Sequence, residues 1–423
     1  MLISQLYPTA ETPADIRQRN RFAVLRLLRD HDPLSKSDLV RFTDRTNTTI
    51  ATILDGLLAE GLVETVNETG SLAGTTRGRP ASLYRLSTAR WLAAGIQIAS
   101  NSVTAIIMTL DATIVAQGSA PAPEDLAAED VLDIAGNLLD DLIERTQELN
   151  MSLLGLGVAL EGFVSPETGE SLWMLFRSKW KDVPVRAYLE QRFRLPVMID
   201  YRVYAAALAE ASYGAARGIQ DFVYLNIDTG IATATVSSGA LVRSSTQPAG
   251  ITGGLGHVLT SRSSRPCFCG NIGCLHNEIT IQALTAQLGE FLTLGRGHGI
   301  GLFWEDHAPT FENLIAAVRQ NDALALQIRD RFIENLGIAV TGAIQLYSAN
   351  LLIVGGPTLH FGGPEALEAA QHAIQRLTIL HELLGSTKVI ASTLLPDSAT
   401  VGAATLVVHA VMVGTITPDL ALE

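Results

Sequence analysis

Gly256-His257 followed by Cys267-Phe268-Cys269-Gly270-Asn271-Ile272-Gly273-Cys274 is the most informative stretch of this 423-residue chain. It holds all 3 cysteines, an odd number packed too closely in sequence to staple distant loops as disulfides. Three thiolates and one imidazole complete a tetrahedral shell for zinc, and the interspersed glycines let the backbone turn tightly enough for the sulfurs to converge. With His257, Cys267, Cys269 and Cys274 all supplied by protein, no position is left for a reactive water, so the expected cofactor is one structural zinc per chain. Buried free thiols are the alternative, but cysteines chosen only for packing have no reason to cluster this way.

Outward from this knuckle the pattern is α/β. Leu92–Ile98, Val103–Leu110 and Ile114–Ser119 are successive strand candidates, Ala127–Leu149 is a long amphipathic helix, and Leu153–Leu160 is a further strand. Strand candidates Phe222–Ile227, Thr233–Ser237, Leu351–Val354 and Lys388–Ser392 then alternate with helices near Ala205–Tyr213, Leu314–Tyr347 and Pro364–Leu377. The length exceeds what one core normally serves, and 47% hydrophobic against 17% charged residues excludes wholesale disorder. No apolar run of membrane-spanning length and no secretory leader pattern is present, which predicts a soluble cytoplasmic protein without a membrane partner.

The N-terminal part differs in charge and in periodicity. The chain carries a formal charge of -13, yet residues 16–90 hold twelve Arg and Lys against eight Asp and Glu. A basic head on an acidic body suits a DNA-binding module attached to a larger domain. Residues 1–15 are read as a flexible arm. Phe22, Val24, Leu25, Leu27 and Leu28 recur at helical spacing up to Asp32-Pro33, and Ser35 with Asp38 three residues on caps a second short helix. Thr46 or Asn47 caps a third helix through Ile50, Ile53, Leu54, Leu57 and Leu58, closed by Gly61. Leu62–Val66 and Ala81–Leu86 read as the two strands of a wing.

A winged helix-turn-helix over residues 16–88 presents the first turn of its last helix to the major groove. Ser35, Lys36, Arg45, Thr46, Asn47, Thr48, Thr49 and Thr52 are therefore expected at base edges or phosphates of double-stranded operator DNA. Arg77-Gly78-Arg79-Pro80 in the wing turn is expected to enter a narrow minor groove, where arginine is favoured.

The cysteine knuckle, with Gly256-His257 before it and Leu275 after it, resembles the signature of the ROK family of bacterial sugar kinases and winged-helix regulators. Gly155-Leu156-Gly157-Val158-Ala159, Val164-Ser165-Pro166-Glu167-Thr168-Gly169, Trp180-Lys181-Asp182-Val183-Pro184, Ala205-Ala206-Ala207-Leu208-Ala209-Glu210, Gly355-Gly356-Pro357 and Val401-Gly402-Ala403-Ala404 fall in the family's order, so the resemblance covers nearly the whole chain. The Arg-Gly-Arg-Pro wing is similar to that of the regulators. The resemblance implies an α/β body, residues 89–423, with a hexokinase/actin-like fold in two lobes. These are expected over about 89–215 with the C-terminal helix near 398–413, and over 216–397, with a sugar site in the cleft.

Measured against the kinase pattern, the chain departs where chemistry is done. The family's catalytic aspartate precedes the Ala-Ala-Ala-Leu-Ala-Glu run, and here Arg202 takes its place in Asp200-Tyr201-Arg202-Val203-Tyr204. A guanidinium stays protonated and accepts no proton. The first phosphate loop reads Gln97-Ile98-Ala99-Ser100-Asn101 without its acid or glycines, and the second keeps Thr229-Gly230 behind Asp228. No enzyme activity and no ATP binding are expected. The sugar-binding acids are also changed, with Gly254 and His276 in their positions, so a ligand of altered class is expected at Glu161, Asp200, Arg202, Tyr204, His257 and His276. These features predict a DNA-binding transcription regulator, a repressor, whose body forms a homodimer or homotetramer and senses a carbohydrate-related effector. A sugar kinase with a regulatory head and a regulator that needs no ligand are the other readings.

Overall fold

A computed structural model describes residues 12–66, 82–260, 264–293, 303–377, 382 and 387–418. The chain divides into two compact units. The first comprises the head, most of the chain to Asp200 and the C-terminal residues from Ala403; the second comprises Tyr201–Gly402 with Gly162–Val164.

The head opens with α1 (Pro13–Asp30), which starts earlier than its apolar periodicity indicates. Thr12 and Asp15 form a reciprocal capping box with Pro13 at the first helical position, a signal that lies ahead of the apolar stripe. These hydrogen bonds from Thr12 hold the Asp15 carboxyl below its ordinary range. Strand β1 (Leu34–Ser35) leads into α2 (Lys36–Thr43), and α3 (Asn47–Ala59) follows, capped by the Thr46 hydroxyl on the Thr49 amide. Val24, Leu25 and Leu28 of α1 are buried, as are Leu39 of α2 and Ile50, Leu54 and Leu57 of α3, so the 3.6-residue period alone closes this small core. Strands β2 (Val63–Val66) and β3 (Leu83–Leu86) pair antiparallel, with β1 on the far side of β3. The wing tip with Arg77 and Arg79 lies outside the described residues, as does most of the 1–15 arm.

The head is docked on the first lobe. Arg21 of α1 donates to both carboxylate oxygens of Glu60 at 2.7 and 2.6 Å and to the Val411 carbonyl at 3.4 Å. The Trp91 indole donates to the Glu60 carbonyl, and the rings of Phe22 and His409 meet edge to face. This lobe is built on β4 (Trp91–Ile98), β5 (Ser102–Thr109), β6 (Ile114–Pro121), β7 (Ser152–Leu160) and, beyond a small sheet of β8 (Phe163–Ser165), β9 (Glu170–Trp173) and β10 (Lys181–Val183), β11 (Val197–Tyr201). The large sheet runs β11-β7-β4-β5-β6, with β4 parallel to β7 and antiparallel to β5. Helix α4 (Ala128–Thr146) packs on β5 and β6, and α5 (Val185–Phe193) precedes β11.

The second unit begins with α6 (Arg202–Ser212) and carries the sheet β14-β13-β12-β15-β16, formed by β12 (Phe222–Ile227), β13 (Ile231–Ser237), β14 (Ala240–Leu241), β15 (Leu351–Gly355) and β16 (Lys388–Ala391). Its helices are α7 (Ile281–Thr293), α8 (Phe311–Arg319), α9 (Ala323–Tyr347) and α10 (Thr358–Gln375), and α11 (Ser398–Val413) leads back to the first unit. Leu225, Phe332, Leu336, Val340, Leu352 and Phe361 belong to its core. Two expectations are corrected. The boundary expected near residue 215 falls between Asp200 and Tyr201, because α6 packs on β12 and β13. The helix expected over Leu314–Tyr347 is two, broken where Asn321 takes a positive φ and Asp322 caps α9. Among the described residues, no helix is long and apolar enough to cross a membrane.

Candidate functional site

His257 ends a single helical turn, Leu255–His257, and Cys267, Cys269 and Cys274 follow on a tight loop. The loop closes on itself through Cys267 N–H to the Asn271 carbonyl at 2.8 Å and Gly270 N–H to the Cys267 carbonyl at 3.0 Å. Gly270 and Gly273 take φ of 93° and 85°, left-handed values that a side chain disfavours. The four ligand atoms lie within 4.8 Å of one another; Cys267 Sγ is 3.7 Å from His257 Nδ1 and Cys269 Sγ is 3.6 Å from Cys274 Sγ. Zinc with sulfur ligands at about 2.3 Å in tetrahedral geometry separates the sulfurs by about 3.8 Å. The donor set and its spacing therefore fit such an ion, and this cluster is able to hold a metal. Burial and the neighbouring thiols push the Cys274 thiol up to about 12, and burial lowers the His257 imidazole. A cation is what turns such crowded thiols into thiolates.

His276, in the short helix just beyond the knuckle, stacks on His257 with ring centroids 6.1 Å apart, and Phe268 meets both rings edge-on. Burial, and then the neighbouring His257, lowers His276 to about 4, so its imidazole is neutral at ordinary pH. Tyr204 on α6 donates to the Thr252 carbonyl at 3.5 Å, and the Arg243 guanidinium lies over the Tyr204 ring at 4.8 Å. These groups belong to the second unit, whereas Glu161 and Asp200, both buried at strand ends, belong to the first.

Arg202 is the first residue of α6 and only 8% exposed. Its Nη1 donates to Asp228 Oδ2 at 2.7 Å. Asp228 opens the turn between β12 and β13, where its N–H reaches the Gly230 carbonyl and its carbonyl receives the Ile281 N–H. The arginine that opens α6 and the acid in the β12–β13 turn thus form an ion pair. Removing one partner leaves a poorly hydrated charge. Arg202→Leu is expected to cost about 2 kcal/mol and Asp228→Asn somewhat less, with a coupling near 1–2 kcal/mol in the double variant. Strict additivity in denaturant titrations would contradict this pairing.

The turn Ala99–Asn101 joins β4 to β5. Arg177 is fully buried and holds this turn to the following segment. Its Nε and Nη2 donate to the Ala99 carbonyl at 3.3 and 3.1 Å, Nη2 to Ala122 at 2.6 Å and Nη1 to Pro123 at 2.9 Å. Burial lowers its pKa, and Glu161 and Glu124 oppose that.

On the head, Lys36, Arg45, Thr46, Asn47, Thr48 and Thr52 are exposed and Thr49 is half-buried. Ser35 departs from the expected DNA contact. It is buried, its hydroxyl donates to Asp38 Oδ2 at 2.6 Å, and it accepts from the Asp38 N–H, so capping α2 consumes the group. Arg45 Nε donates to Asn20 Oδ1 at 3.0 Å. Sequence reasoning missed Arg177, Arg243 and Arg21, since a long polar side chain that reaches carbonyls, a ring or an acid far along the chain leaves no periodic trace.

The ROK family pattern matches residues 93–410, and the MarR family pattern matches residues 18–69. The xylose repressor of Caldicellulosiruptor bescii is 24% identical over 348 residues, covering 82% of this chain and 85% of that protein. The DNA-binding transcriptional repressor Mlc of Escherichia coli is 25% identical, covering 81% and 82%. Among solved structures, a ROK family transcriptional regulator, a homologue of the E. coli Mlc protein, superposes with TM-score 0.79 at 21% identity over 95% of this chain and 98% of that one. A ROK family glucokinase from Streptomyces griseus in complex with glucose and AMPPNP gives 0.64 at 22% identity, covering 74% and 98%. A head of MarR type precedes a body matched from residue 93 to residue 410, and the chain belongs to the ROK family.

Proposed function

We propose that this chain is a sequence-specific DNA-binding transcription repressor that responds to a carbohydrate-related effector. The observation that carries the reading is the head. A short three-helix core with a hairpin leaves the first turn of α3, Thr46 to Thr49, on the surface, as major-groove insertion requires. The repressors to which the chain is similar include one named for xylose, which supports a sugar-related effector for this body. Glu161, Asp200, Arg202, Tyr204, His257 and His276 are the candidate effector contacts, and zinc is the metal assigned to the cysteine knuckle. A homodimer or homotetramer in the cytoplasm would present two heads at a fixed half-site spacing of about 10 base pairs or its multiples.

The body is not a sugar kinase in this reading. Arg202 is committed to Asp228 and offers no lone pair for a hydroxyl proton, and Arg177 occupies the carbonyls of the turn where a phosphate loop would lie.

The test is operator selection. Full-length, metal-loaded protein is incubated with a random DNA pool, and bound fragments are sequenced and titrated by fluorescence anisotropy. One enriched motif with a steep salt dependence is expected, and Asn47→Ala with Thr48→Ala weakens that motif by 10-fold or more while sparing background binding. A pool that emerges without sequence preference would overturn the reading.

A further inference from the structure

A groove of about 480 Å³ runs beside the recognition helix, between the outer side of α3 and the N-terminal half of α1. Arg17, Gln18 and Asn20 line it from α1, and Thr48, Thr52 and Gly56 from α3. Residues 48, 52 and 56 recur every four positions and form one stripe about 12 Å long.

Gly56 is the informative residue. It lies inside α3, where glycine costs about 1 kcal/mol relative to alanine. Its φ is not in the left-handed region, and a Cβ built there meets nothing within 4 Å. Among the described residues, neither backbone conformation nor packing calls for glycine at this position. A backbone left bare at the floor of a groove suits close approach by something outside the chain.

The lining includes Arg17 and Arg21 and no carboxylate, although Arg21 is itself paired with Glu60, while Ile53 and the aliphatic parts of the other side chains make most of its surface apolar. Arginine, glutamine, asparagine and threonine side chains are the groups that contact DNA phosphates. Arg17 is exposed, and its Nε donates to the Pro13 carbonyl one turn back, at 3.3 Å. With α3 in the major groove, a surface along its flank meets the strand that borders that groove.

We propose that this groove is a second DNA contact surface, which seats the phosphodiester backbone bordering the major groove against Gly56 and the α1 side chains Arg17 and Gln18. The inference rests on the DNA-binding reading above and adds to it a surface on α1, a helix in which the sequence had suggested no contact.

Two substitutions test it in the full-length, metal-loaded protein, with titrations at several salt concentrations. Gly56→Ala is expected to leave the melting temperature unchanged or raise it, because α3 gains a better helix former, and yet to weaken operator binding 5-fold or more. Gly56→Met, which fills more of the groove, weakens it further. Arg17→Ala is expected to weaken operator and non-operator DNA alike and to reduce the slope of log K against log salt by about 1. Wild-type binding by all three variants overturns the proposal while leaving operator recognition intact. A changed assembly mass in Gly56→Met with unchanged DNA affinity overturns it too, since a second copy would then be the occupant. Wild-type protein that ignores DNA sequence instead overturns the earlier reading together with this one.

Discussion

Stripping a metal from the His257, Cys267, Cys269 and Cys274 cluster is expected to lower the melting temperature of the chain by about 6–20 °C. Structural zinc in small peptides contributes about 10–16 kcal/mol of apparent binding free energy. Here the knuckle is attached to a unit with its own core, so a bound ion would directly support only the segment between His257 and the start of α7. That segment supplies Leu275 and Ile279 to the second unit's core. A loss of 3–5 kcal/mol is a reasonable share, and each kcal/mol moves a unit of this size by about 2–4 °C. Cys274→Ser, at a buried ligand, should reproduce the chelated state, and Cys269→Ser, at an exposed one, should do so less completely. Loading should also fall as pH is lowered, since protons compete for the thiolates. Calorimetry on chelated and reloaded protein, with elemental analysis expected to return one zinc per chain, checks this. An unchanged melt in metal-free protein would remove the metal from the account.

Arg177→Met is the second large effect, at about 3–5 kcal/mol. The methionine fills similar volume, but the carbonyls of buried Ala122 and half-buried Ala99 lose their charged donor, as does that of exposed Pro123, which keeps the Leu126 N–H and can meet water. A buried acceptor left unsatisfied costs about 1–3 kcal/mol. Arg177→Lys should rescue only part of the loss, because one ammonium cannot span three carbonyls as a planar fork does. A melting shift below about 2 °C for Arg177→Met would refute the role of staple.

Much of this could be read before any coordinate. The clustering of His257 with the three cysteines, the α/β alternation and the caps at Ser35 and Thr46 depend on spacing within a few residues, where sequence and geometry are nearly the same thing. Strands β12 and β15 came through as short apolar runs because both are buried along their length. The small sheet of β8, β9 and β10 was silent, since strands of three or four residues among loops carry too little period to register. Ser35 illustrates the limit at a site. Its residue type suits a cap or a phosphate equally, and only burial shows that the cap consumes it.

What the sequence by itself determined is the local chemistry: which side chains can hold a metal, where helices begin, and that position 202 carries a charge unable to accept a proton. What only the tertiary structure decided is where the long side chains are spent. Arg202 lies 26 residues from Asp228, Arg177 lies 78 from Ala99, and Arg21 lies 39 from Glu60. Such partners are chosen by which strands and helices come to adjoin, a property of the packed core as a whole. No period along the chain encodes it.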